Sequence, residues 1–167
     1  MSAGSSSNDK AGNSISTARD VGVLTGTMQT FVDWVGKTDK NDYYRFTLNG
    51  TASLRLVLSG LAADADVEVL NASGIRVGNP GTSSGSNNET INIEDLPNGT
   101  YYVRVYPGTT NAETSYNLGL RAEASVPRDT TPPTVTITTS DNSLTADETA
   151  TLTFKLSENA TNFAQGD

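Results

Sequence analysis

The feature that most restricts the fold is an apolar–polar alternation that recurs in short bursts, each ended by turn residues. Tyr44, Phe46 and Leu48 alternate with polar neighbours, as do Leu54, Leu56 and Leu58. The same holds for Tyr101, Val103 and Val105, and for Tyr116, Leu118 and Leu120. A period of two places one set of side chains on one face, the mark of a half-buried strand. Between the bursts lie Asn49-Gly50, Asn71-Ala-Ser-Gly74 and Leu96-Pro-Asn-Gly99. Asn and Gly accept the positive φ that tight hairpin turns require. Val21–Val35 is strand-like around Gly26, Val67–Leu70, Ile75–Val77 and Glu89–Ile93 add shorter strands, and 79–88 reads as a surface loop.

About eight short strands at this spacing predict an all-β fold, an antiparallel jelly-roll-like β-sandwich. Composition agrees. Only 35% of the 167 residues are hydrophobic, which suits strands buried on one face and excludes an all-helical core. A brief helical turn near Ser14–Ala18, capped by Asn13 or Ser14, is compatible with that class.

The expected organisation has four parts. Residues 1–12 form a flexible N-terminal segment, 13–122 the sandwich, 123–133 a linker, and 134–167 an incomplete second β segment. Pro132-Pro133 stiffens the linker toward an extended form. Val135 and Ile137, then Leu152, Phe154 and Leu156, alternate as two further strands. Half a sandwich leaves its inner face open, so this part is expected to be disordered, to pack on the first module, or to pair with another chain.

Charge and missing residue types narrow the chemistry. The chain carries a net charge of −8 and contains neither Cys nor His. Disulfides, thiolate sites, His-based nucleophile systems and ordinary zinc sites are therefore excluded. The acidity argues against nucleic acid as a partner and fits either solubility or divalent cations. No apolar run is long enough to insert in a membrane. Met1–Ser7 lacks the basic start and apolar core of a signal peptide, so export is expected to rest on a removed leader or on a C-terminal signal.

Asp39 and Asp42 stand three apart in the turn Lys37-Thr-Asp-Lys-Asn-Asp42, directly before a strand. Carboxylates in a loop suit a calcium ion, which takes six to eight oxygen ligands. Bonds from the same aspartates to their own turn backbone are the alternative, and the metal is placed ahead of it. Asp64 and Asp66 form a second acidic pair, read as a solvated strand edge rather than a cation site. No carboxylate pair is marked as the acid and base of a glycosidase. Tyr43, Tyr101, Tyr102, Tyr106 and Trp34 suggest an aromatic platform. Alternation turns Tyr101 inward and sends Tyr102 and Tyr106 outward, where they are candidates for ligand contact. Trp34 is assigned to the core. Five Asn-x-Ser/Thr triplets are attributed to chance in a chain this rich in those residues.

The stretches Ala11-Gly-Asn-Ser14, Asp33-Trp-Val-Gly36, Asp39-Lys-Asn-Asp-Tyr-Tyr-Arg-Phe46, Ala63-Asp-Ala-Asp66 and Asn98-Gly-Thr-Tyr-Tyr-Val-Arg-Val-Tyr106, closed by Tyr116-Asn-Leu118, resemble the bacterial pre-peptidase C-terminal domain. From Asp129-Thr-Thr-Pro-Pro-Thr-Val-Thr-Ile137 onward the chain resembles the start of a bacterial immunoglobulin-like repeat of the kind found in adhesins. The first resemblance implies a non-catalytic β-sandwich module of secreted or cell-surface proteins, some of whose relatives bind calcium or collagen-like polymers. It also implies a calcium site drawn from two regions, here Asp9, Asn13, Asp39 and Asp42. The expected function is accessory: attachment or spacing beside neighbouring domains. The rivals are binding of a collagen-like or polysaccharide polymer and self-association through the C-terminal strands.

Overall fold

The computed structural model describes residues 9–125 and 131–158. It divides into two compact units, 1–126 and 127–167.

Among the described residues the first unit is a β-sandwich of nine strands. They are β1 (Arg19–Val23), β2 (Gln29–Val35), β3 (Asp42–Leu48), β4 (Ala52–Ser59), β5 (Ala65–Asn71), β6 (Arg76–Gly81), β7 (Glu89–Leu96), β8 (Gly99–Pro107) and β9 (Thr114–Ala124). One sheet has the order β1-β3-β8-β5-β6 and the other β2-β9-β4-β7. Alternation decides which side chains face inward. Tyr44, Phe46, Leu56, Leu58, Val103, Val105, Leu118 and Leu120, two from each of four strands, are fully buried in one core cluster. Truncating one of these leucines to alanine costs about 2–5 kcal/mol, because the lost burial is joined by a cavity.

The all-β sandwich follows the sequence, and four details depart from it. The pair β1–β3 is parallel, whereas an antiparallel fold was expected. The chain leaves β1, crosses to the other sheet through β2, and returns in β3 with its original direction, as a parallel pair requires. Asn79, Pro80 and Gly81, expected in a loop, belong to β6. This strand lies at the sheet edge, where proline's missing N–H breaks no ladder. The last sandwich strand also runs past Ala122 into the expected linker, with Glu123 opposite Ser53 and Ala124 opposite Ala52. Trp34 is outside the core. On β2 the inward positions are Asp33 and Val35, so Trp34 is turned outward and only half-buried.

The expected short turn is a 3₁₀ turn over Ile15–Thr17 with Ser14 at its N-cap. Of the segment expected to be flexible, 1–8 lie outside the described residues, but Ala11 is buried and Gly12 forms a β-bridge with Tyr43. A side chain could not replace the hydrogen of Gly12: a Cβ there would stand 1.8 Å from the carbonyl oxygen of Thr17.

The second unit contains one antiparallel hairpin, β10 (Val135–Thr139) with β11 (Leu152–Leu156). Val135 faces Leu156, Ile137 faces Phe154 and Thr139 faces Leu152, so five apolar side chains share one face. Val135, Ile137, Leu152 and Phe154 are 51–58% exposed. Of the open possibilities for this part, disorder does not describe 134–158, which hold the hairpin; 159–167 lie outside the described residues.

Candidate metal centre

The turn between β2 and β3 is closed by the Gly36 N–H donating to the carbonyl of Asp39 at 2.6 Å. Gly36 lies so close under the outward Trp34 that a Cβ would stand 2.5 Å from the indole ring. This tight turn folds Asp39 inward, and Asp42, the first residue of β3, is inward by strand parity. Both are buried, Asp39 at 6% exposure and Asp42 at 0%.

The N-terminal strap supplies the third carboxylate. Carboxylate oxygens of Asp9, Asp39 and Asp42 all lie within 4.8 Å of one another. Asp33 fixes the strap. Its Oδ2 accepts the backbone N–H groups of Lys10 and Ala11, each at 3.0 Å, and its Oδ1 accepts that of Trp34 at 3.1 Å. Both oxygens of Asp33 are thereby used in holding backbone, which leaves it a positioning residue beside the cluster. Its place was legible as an acid on the inward parity of β2, a position normally apolar. Sequence reasoning quoted Asp33 without assigning it this part.

Asp42 is the most unusual group. Its Oδ2 accepts a short hydrogen bond from the Tyr116 hydroxyl, which also shares a 2.8 Å bond with the Tyr44 hydroxyl. Its Oδ1 is buried without any partner. A buried polar atom without a partner costs about 1–3 kcal/mol, more when charged. Burial pushes the Asp42 carboxyl up to about 8, against the pull of the Tyr116 hydrogen bond, with further upward pressure from Asp39, Asp33 and Asp9. Asp39 is pushed up to about 6, by burial first and then by Asp9 and Asp33. Asp9 is raised as well, by burial and by Asp33. Burial also raises both tyrosines.

Asn13 completes the ring. With its amide nitrogen turned inward it donates to the Asn41 carbonyl and to Asp39 Oδ1, each at 2.8 Å. With its oxygen turned inward, three oxygens converge at the same spacing, an arrangement that a cation or a proton on Asp39 makes favourable. The four residues expected from sequence are therefore brought together, and the Asn41 carbonyl is an addition. The donor set is oxygen alone, arises from two separate stretches of the chain, and presents one buried carboxylate oxygen with no hydrogen-bond partner. These residues fit a hard divalent cation of calcium's size and flexibility of coordination.

The other candidates fall elsewhere. Asp66 is half-buried on β5 and is pushed up to about 6 by burial, Asp64 and the buried Glu89. Among the described residues no third ligand joins Asp64 and Asp66. Tyr102 and Tyr106 share the outer face of β8, half-buried, and the Arg104 guanidinium lies 4.4 Å over the Tyr106 ring.

Residues 40–107 match the bacterial pre-peptidase C-terminal domain, and residues 129–167 match a bacterial Ig-like domain. The chain thus carries a pre-peptidase C-terminal domain followed by Ig-like sequence. Among solved structures, the pre-peptidase C-terminal domain of a collagenase from Bacillus anthracis is similar at 17% identity and a TM-score of 0.50, covering 62% of this chain and 93% of that one. A periplasmic inhibitor of g-type lysozyme from Salmonella Typhimurium gives 15% identity and a TM-score of 0.41, covering 63% and 99%. At these identities the likeness concerns the fold. No curated protein matches the sequence.

The two domain types mark a non-catalytic accessory module of a bacterial protein, and such domains typically occur in extracellular proteins. Among the described residues no helix is long and apolar enough to cross a membrane.

Proposed function

We propose that this chain is a calcium-braced accessory module, serving attachment or spacing within a larger secreted or cell-surface protein. The observation that carries the reading is the unpartnered Oδ1 of the fully buried Asp42, a carboxylate gathered with those of Asp9 and Asp39. Gathering carboxylates in a buried place is costly unless they are protonated or share a cation. Asp9, Asn13, Asp39, Asp42 and the Asn41 carbonyl are the ligands this reading assigns. The ion would tie the N-terminal strap to the β2–β3 turn, so that binding and folding become one equilibrium.

Thermal melts with added calcium and with chelator test it. A ligand bound only by the folded state adds about 2.7 kcal/mol at 100 times its Kd. The melting temperature is expected to rise with calcium in the natural chain and to stay fixed in the Asp39→Ala/Asp42→Ala variant. A natural chain indifferent to calcium would reduce these aspartates to turn residues.

The open apolar face of β10 and β11 favours a second reading, self-association with another copy of the chain. It calls for oligomers that grow with concentration in sedimentation runs and vanish when 126–167 are deleted. A monomer at all concentrations rejects it.

A further inference from the structure

Beside the turn that carries Asp39 and Asp42, but on its outer side, lies an open cleft of 440 Å³. Its volume is within the roughly 300–1,000 Å³ of small-ligand sites. One wall is the β2–β3 turn, with Lys37 and Lys40; the other is the end of β8 and the loop after it, with Arg104, Tyr106, Thr109 and Thr110. Three of the chain's eleven basic residues therefore line one cleft of a protein whose net charge is −8.

These cations differ in how they are held. Arg104 is fixed on three sides: its Nε donates to Asn41 Oδ1 at 2.8 Å, its Nη1 to Glu68 Oε1 at 3.0 Å, and its plane rests on Tyr106. Its Nη2 has no hydrogen-bond partner among the described residues. Lys37 and Lys40 form no ion pair among the described residues, so their ammonium groups remain available. Around them stand the Thr109 and Thr110 hydroxyls and the Tyr106 phenol. Glu68 balances the charge of Arg104, so the two lysines carry the free positive charge of the cleft, and with the donors around them its complement is a ligand rich in acceptors and negative charge.

The cleft also excludes one common mode of recognition. An extended peptide gains affinity by adding to an open strand edge. Here β8 lies between β3 and β5, with both edges paired. A hydroxyl-rich ligand recognised through side chains fits better. We infer that the cleft binds a short stretch of an anionic glycan, with Lys37, Lys40 and Arg104 receiving its carboxylate or phosphate groups and Tyr106, Thr109 and Thr110 its hydroxyls. The site goes beyond the calcium-braced reading and does not depend on it.

Calorimetric titration of the full chain at low salt provides the test, in metal-free and in calcium-containing buffer, binding in either sufficing. Four probes are used: a galacturonate oligomer, a glycerol-phosphate oligomer, a neutral malto-oligosaccharide and a glutamate peptide. Binding of the first or second, with neither the neutral sugar nor the peptide, supports the site and tells carboxylate from phosphate as the source of charge. The Lys37→Ala/Lys40→Ala variant should then bind at least about tenfold more weakly at an unchanged melting temperature. Arg55→Ala/Arg121→Ala, equal in charge but on the opposite sheet, should bind as before. Equal binding of the neutral sugar or the glutamate peptide, unaltered binding by the Lys37→Ala/Lys40→Ala variant, or no binding of either anionic oligomer overturns the inference.

Discussion

Asp39 with Asp42, and Asp64 with Asp66, look alike in the sequence: two close acidic residues just before a strand. Their surroundings make them different objects. Asp64 also has one buried oxygen without a hydrogen-bond partner, but both residues keep partial access to solvent and, among the described residues, no third ligand joins them. Asp39 and Asp42 are buried, meet Asp9 from a distant part of the chain, and leave one oxygen without a partner. Acidic spacing alone therefore says little. What distinguishes a candidate cation site is burial combined with the convergence of further ligands.

The contrast can be broken or sharpened by substitution. The largest effect is expected from Asp33→Ala. It leaves the Lys10 and Ala11 N–H groups without their acceptor at the buried end of the strap, at about 1–3 kcal/mol for each such group. Both metal-free stability and the response to calcium should fall, read by chemical denaturation. A strap that stays protected from protease in this variant would contradict the role given to Asp33.

The next effect is on pH dependence. Asp42 and Asp39 sit at about 8 and about 6 in the fold, above the ordinary value of 3.8. Between that value and the folded one, the unfolded chain has released protons that the folded chain retains. Metal-free stability is therefore greatest at the acid end and declines as pH rises from about 4 toward 8. Calcium needs the ionised carboxylates, so its stabilising effect should grow over the same window. Melts at several pH values in chelator and in calcium should diverge; parallel curves would count against the shared site.

A smaller change is expected from Tyr116→Phe, which removes the hydrogen bonds to Asp42 and Tyr44 for about 1 kcal/mol. Smallest of all is Asp64→Asn/Asp66→Asn, expected to alter stability by about 0.5 kcal/mol or less and leave the calcium response intact. Loss of that response would erase the contrast between the two pairs.

Much of the sandwich was legible because strand parity is a local property. The alternation of Tyr44, Phe46 and Leu48 is enough to say which side chains are inward, and they are. Parity also could have found Asp33, an acid where β2 should be apolar, and it could have placed Trp34 outside. The parallel partnership of β1 and β3 was not readable, since it depends on where the chain goes after leaving a sheet. The strand through Pro80 was hidden for a similar reason: an edge tolerates residues that look like loop. At the candidate site, Asp39 and Asp42 were marked by their place in a turn and Asp9 and Asn13 came from resemblance to a family, while the orphaned Asp42 oxygen and the Asn41 carbonyl emerge only in three dimensions. The hairpin of β10 and β11 makes the converse point. Its alternation is as regular as that of β3, yet its apolar face is exposed, because parity assigns a face without supplying what covers it.

The most direct measurement of the central claim is a calcium titration by calorimetry on the natural chain and on Asp39→Ala/Asp42→Ala. The account expects one saturable site in the first and none in the second. No calcium heat in the natural chain, or equal binding in both, would contradict it.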